Sequence, residues 1–68
     1  MREMHPSTEA LLGYFSYHHL PPHLQDVSEP FAKLAKKLAG NENLHGPEVA
    51  VALRKLLEAK DCAVRAAL

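Results

Sequence analysis

The sequence predicts an all-α fold: a short N-terminal helix followed by an antiparallel αα-hairpin, assembling into a homo-oligomer. Three observations carry this expectation. Alanine and leucine are abundant and β-branched residues scarce, which favours helix over strand. Apolar residues recur at three- and four-residue spacing over two long stretches. Finally, 68 residues with one cysteine form a small domain without an intrachain disulfide, and no Cys/His set has zinc-like spacing. By elimination, self-association is the expected supplement to so small a core. The whole of residues 1–68 reads as one domain, without internal repeats or low-complexity segments.

The first helix is expected over about residues 7–15, with Ser7 or Thr8 as cap and Glu9 favouring the first turn. The segment "YHHLPPH" ends it, because Pro21 and Pro22 push the residues before them toward extended conformations. A second helix starts near Pro22, with Leu24, Val27, Phe31, Leu34 and Leu38 lining one face for four turns. Pro30 falls inside that run and removes a backbone hydrogen bond. A fresh start capped by Ser28 is one solution; the unbroken apolar register favours a single kinked helix. In "AGNENLHGP", Gly40 suits a C-cap, the two asparagines suit a turn, and Pro47 suits the first position of a third helix. That helix runs nearly to residue 68, with Val49, Leu53, Leu56 and Leu57, then Ala63 or Val64, as its apolar stripe. A connection of about seven residues makes the last two helices an antiparallel hairpin over about residues 22–68. Leu57, Val64 and Leu68 flank the stripe and are the residues expected to be available to a partner subunit.

Eight basic residues balance eight acidic ones, unlike the basic excess of a nucleic-acid-polymer binder. No apolar run approaches the ~20 residues that span a bilayer, and "MREMHPSTEA" lacks a signal-peptide core, so a soluble intracellular protein is expected. His18, His19 and His23 lie close together, but prolines interrupt the helix between them and no thiolate completes a tetrahedron. No metal site and no cofactor are expected. Cys62 reads as a buried structural thiol, with no glycine-rich elbow or oxyanion loop beside it, so enzymatic function is not expected.

The remaining candidates are cations and aromatics. Lys33, Lys36 and Lys37 lie off the apolar stripe of the second helix, as do Arg54, Lys55, Lys60 and Arg65 on the third. The plain reading is a solvated face, with Glu58 and Asp61 as ion-pair partners for Arg54, Lys55 and Arg65. The sharper one starts from Tyr14, Phe15 and Tyr17, three of the four aromatics in the chain, set within four positions. Bases stack on aromatic faces, at about 1–3 kcal/mol per base, and phosphates take Lys or Arg. Phe15 is assigned to the core, while Tyr14 and Tyr17, with polar tips, belong at a boundary.

"FSYHHLPP" before one helix and "VALRKLLEAKDCAVRAAL" as the next resemble the small phage hairpin domain of the anti-CBASS and anti-Thoeris sponges. The resemblance rests on an F-x-Y-H entry, here Phe15, Tyr17 and His18, with Pro21 following. A closing pattern of Ala52, Leu53, Leu56 or Leu57, Glu58, Ala59, Ala63 and Ala66 adds to it. It covers about residues 15–68; Asp61 and Cys62 stand where a Met-Trp pair is common, and one extra residue follows His18. It implies a sponge that binds cyclic dinucleotides, cyclic trinucleotides or cyclic ADP-ribose isomers without cleaving them, in pockets between protomers of a ring-like homo-oligomer, often a hexamer. Its setting would be the cytoplasm of the infected bacterial host. Residue by residue, Tyr17 would stack on a base beside His18. Lys33 is the first candidate for the phosphate lysine, with Lys36 and Lys37 as alternatives, and Arg65 would serve a second pocket. The alternative is a small helical protein-interaction or regulatory module with no small-molecule ligand.

Overall fold

The computed structural model describes residues 6–68. Among them are three helices, α1 (Pro6–Gly13), α2 (Pro22–Ala39) and α3 (Pro47–Ala67), and no strand. The molecule measures 36 × 19 × 18 Å. A 21-residue helix is itself about 31 Å long. One helix length fills the long axis, so α2 and α3 must fold back along one another. The α2–α3 contact is the most extensive, and α1 packs more on α3 than on α2.

Each boundary has a local cause. Helix α1 begins at Pro6, so Thr8 sits inside its first turn and its side chain is buried instead of capping; the side chain of Ser7 lies outside the described residues. The helix ends at Gly13, two residues short of expectation. Beyond it the chain tightens through three-residue bonds, Tyr14 N–H to Leu11 O, Phe15 N–H to Leu12 O and Ser16 N–H to Gly13 O. Tightening of the last turn is a common end for a helix, and here it delivers Phe15 to the core at 2% exposure. Pro22 and Pro47 open α2 and α3 at positions whose N–H would have no partner in any case. Gly46 precedes α3 at φ 87°, a left-handed conformation that favours glycine. Gly40 ends α2 in a right-handed conformation, with its N–H bonded to Lys36 O at 2.9 Å. In the turn, Asn41 Oδ1 accepts the N–H of Asn43 at 2.9 Å, an Asx turn.

Helix α2 runs unbroken through Pro30, and Ser28 is buried in its interior; the fresh start capped by Ser28 does not occur. The apolar face also differs from expectation. Leu24 is buried as expected, but the other seam positions are Ser28, Ala32, Ala35 and Ala39. Each lies one residue beyond Val27, Phe31, Leu34 and Leu38. Small side chains let helices approach closely, and the larger neighbours are turned to the flank. Phe31 and Leu38 pack partly against the core, and Leu34 is 44% exposed.

The buried cluster is Leu11, Phe15, Ala32, Ala35, Ala39 and Leu53. A fully buried large apolar side chain contributes about 1.5–3 kcal/mol, while each alanine brings a single methyl group. Leu53, with no exposed surface, is the main α3 anchor, and Val49, Leu56 and Leu57 pack partly buried around the cluster as the sequence predicts. Among the described residues no helix is long and apolar enough to cross a membrane.

Candidate functional site: two clefts beside an aromatic loop

The segment between α1 and α2 carries the aromatics in three environments. Phe15 is core, Tyr14 is 64% exposed, and Tyr17 is half-buried against the core cluster. The Tyr17 and His18 rings lie with centroids 4.3 Å apart at a tilt of 32°. The two rings are thus stacked on one another, and an outer face of the pair is a geometry suited to planar groups.

Side chains from both long helices hold the backbone of this loop. Gln25 on α2 donates from Nε2 to Leu20 O at 2.7 Å and to His18 O at 3.3 Å. Lys60 on α3 donates from Nζ to Tyr14 O at 2.9 Å and lies 3.3 Å from Asp61 Oδ1.

A cleft of about 170 Å³ lies on the α2 side of the loop, lined by Phe15, Tyr17, His18, Ala32 and Lys36 among others. It brings together three of the residues singled out in the sequence: the Tyr17/His18 face and one helix-two lysine. Lys33 is exposed and ion-paired with Glu29 at 2.7 Å, one turn earlier. Its pKa is raised chiefly by the hydrogen bond and charge of Glu29, with a smaller effect from Tyr17. The ammonium is therefore held by its neighbour on α2. Neither Lys33 nor Lys37 lines a cleft beside the loop.

A larger cleft of about 380 Å³ lies on the α3 side, where Tyr14, His19, Lys60, Asp61 and Arg65 meet. Arg65 is thus separated from Tyr17 and belongs to different surroundings. In this cleft the Lys60 ammonium is already engaged by Tyr14 O and Asp61, which leaves Arg65 and His19 as the groups without a short-range carboxylate partner among the described residues. Asp61 pairs with Lys60, whereas the sequence offers it Arg54, Lys55 or Arg65. Cys62 is exposed rather than buried, because its position on α3 turns away from the hairpin seam, and its Sγ accepts from Arg65 Nη2 at 3.3 Å.

The α2-side cleft offers a stacking face and a cation, and beside the α3-side cleft the Cys62 thiol accepts from the Arg65 guanidinium. Among the described residues no three or more His, Cys, Asp or Glu side chains come together as a metal site would require. Gln25 is not marked by the sequence, and Lys60 reads there only as one of the basic residues off the apolar stripe, since any long polar side chain can reach a backbone carbonyl and nothing in local spacing marks which one does. Comparison with protein-family models, with curated proteins and with solved structures finds no match to this chain.

Proposed function

We propose that the protein is a non-enzymatic sponge that binds cyclic oligonucleotide messengers as a homo-oligomer and sequesters them without cleavage. In this reading it is a phage-type immune-evasion protein acting in the host cytoplasm. The observation that carries the reading is the meeting of Tyr17, His18 and Lys36 in one cleft. A base stacks on the aromatic face, and a phosphate takes Lys36, with Lys33 next in line. Capture of this kind uses preorganised stacking and charge and requires no catalytic group.

The size of the cleft supports an inter-subunit pocket. At about 170 Å³ it falls below the roughly 300–1,000 Å³ of sites that enclose a whole small ligand. One protomer would hold a base and a phosphate, and its neighbour in a symmetric ring the remainder; six subunits is the number that the resemblance to the sponges implies. The flank of α2 supplies an apolar surface for such a ring, with Leu34 exposed and Val27, Phe31 and Leu38 partly so.

Calorimetric titration with cyclic di-AMP, cyclic di-GMP and cyclic tri-AMP, alongside mass measurement in solution, tests the proposal. Binding at micromolar concentration or tighter by an oligomer is expected. A strict monomer that takes up none of them refutes it. The same exposed flank favours a second reading, a helical interaction module that docks a protein partner without a small ligand; an oligomer deaf to every cyclic nucleotide would favour that one.

A further inference from the structure

The Tyr14–Leu20 loop that bears Tyr17 and His18 donates backbone hydrogen bonds at both ends: Tyr14 N–H to Leu11 O and Phe15 N–H to Leu12 O at 3.1 Å, Ser16 N–H to Gly13 O at 3.3 Å, and Leu20 N–H to Tyr17 O at 3.0 Å. Three of its carbonyls are held by side chains from the long helices. At one end Lys60 reaches from α3 to Tyr14 O, across 46 residues of sequence. At the other, Gln25 reaches from α2 to His18 O and Leu20 O, across 7 and 5 residues. The stacked Tyr17 and His18 rings lie between the two holds.

The Lys60 contact is an unusual use of a lysine. Its side chain is 12% exposed, and burying a charged group is costly unless it is paired and hydrogen-bonded. Both conditions are met, by Asp61 and by Tyr14 O. An apolar side chain of the same length would pack against α3 without either requirement. What the ammonium adds is a directed bond to the aromatic loop.

We propose that Lys60 and Gln25 are positioning residues, a two-ended clamp that holds the Tyr14–Leu20 loop in its ligand-ready form before any ligand arrives. Neither needs to touch the ligand. The clamp links each long helix to the stacking face, so the loop loses its freedom on folding and not on binding. The ligand half of this inference rests on the sponge reading, whereas the loop half stands without it.

Lys60→Met keeps the length of the side chain and deletes the charge, and Asp61, half-exposed, remains solvated in its absence. Gln25→Met keeps the side-chain length and deletes the amide donor at the other end. Three readouts are compared with wild type: amide exchange at Ser16 and Leu20, the ring-proton NMR shifts of Tyr17 and His18, and affinity for cyclic di-AMP and cyclic tri-AMP. Each variant is expected to speed exchange at Ser16 and Leu20 and to move the ring shifts toward unstacked values, leaving exchange at Ala35 and Leu53 unchanged. The apparent dissociation constant should rise about tenfold, the factor expected when the competent loop falls to roughly one part in ten. Lys60→Arg, which can still donate to Tyr14 O, should recover most of both effects.

Wild-type loop exchange and ring shifts in both Met variants would overturn the clamp. So would an equal loss of protection at Ala35 and Leu53, which would make these residues general stabilisers. If the loop loosens as expected while the wild-type protein binds no cyclic nucleotide, the clamp stands and the sponge reading falls.

Discussion

Ser28 lies in the packed seam of α2 with no exposed surface, and its hydroxyl has no hydrogen-bond partner. A buried hydroxyl left unpaired costs about 1–3 kcal/mol. Ser28→Ala removes the orphan oxygen and places alanine among Ala32, Ala35 and Ala39, in a helix interior where it gains up to about 0.5 kcal/mol of propensity. The void left behind is smaller than a methyl group, so it costs less than about 1 kcal/mol. The variant should therefore be more stable by about 1–2 kcal/mol, which at roughly 4–8 °C per kcal/mol for a domain of this size raises Tm by about 4–16 °C. Thermal and urea unfolding followed by circular dichroism measure this, at matched protein concentration because any self-association would make Tm concentration-dependent. An unchanged urea m-value would assign the gain to stability and not to a changed unfolded state. A Tm at or below wild type would refute the reasoning, since the hydroxyl would then be satisfied and alanine would have removed a useful bond.

Tyr17→Ala should weaken cyclic-nucleotide binding by roughly 5- to 150-fold, the range for loss of one stacked base. Because Tyr17 also packs partly on the core, its Tm should fall too, but by less than that of Phe15→Ala; equal losses of Tm would make Tyr17 a core residue. Glu29→Gln should free Lys33 and tighten capture by roughly two- to fivefold, since exposed ion pairs are weak competitors. With Glu29 present the Lys33 pKa is raised, so the pair's small contribution is complete below the ordinary lysine value of 10.5 and fades as pH rises through the raised one. NMR titration of the Lys33 side chain should show the midpoint drop in Glu29→Gln; no drop would mean that the pair is absent in solution.

Much of the architecture was legible in the residues. Pro22 and Pro47 open their helices, the seven residues from Gly40 to Gly46 close the hairpin, and Phe15 is core while Tyr14 is exposed. These features have local causes: a missing N–H, a conformational preference, an apolar ring without a polar tip. The α2 seam was misplaced by one residue for a different reason. Periodicity reports the direction of an apolar face to within about one residue's 100° step. Which residues within it meet the partner helix is decided by how closely the backbones approach. Large side chains at 27, 31, 34 and 38 advertise the face, and small ones at 28, 32, 35 and 39 occupy its centre.

The site divides in the same way. Residue type and local order in the sequence determined that Tyr17 and His18 adjoin and that lysines lie off the core face of α2. Only the tertiary structure decided that Lys36 shares their cleft, that Lys33 is held by Glu29, and that Arg65 sits in a separate cleft with Tyr14. It alone also joined Lys60 to the Tyr14 carbonyl, 46 residues away. Helix formation and turn geometry are written in neighbouring residues, because their energies arise within a few positions of the chain. A contact between α3 and the aromatic loop depends on the closing of the whole hairpin, and the backbone carbonyl it uses looks the same at every residue.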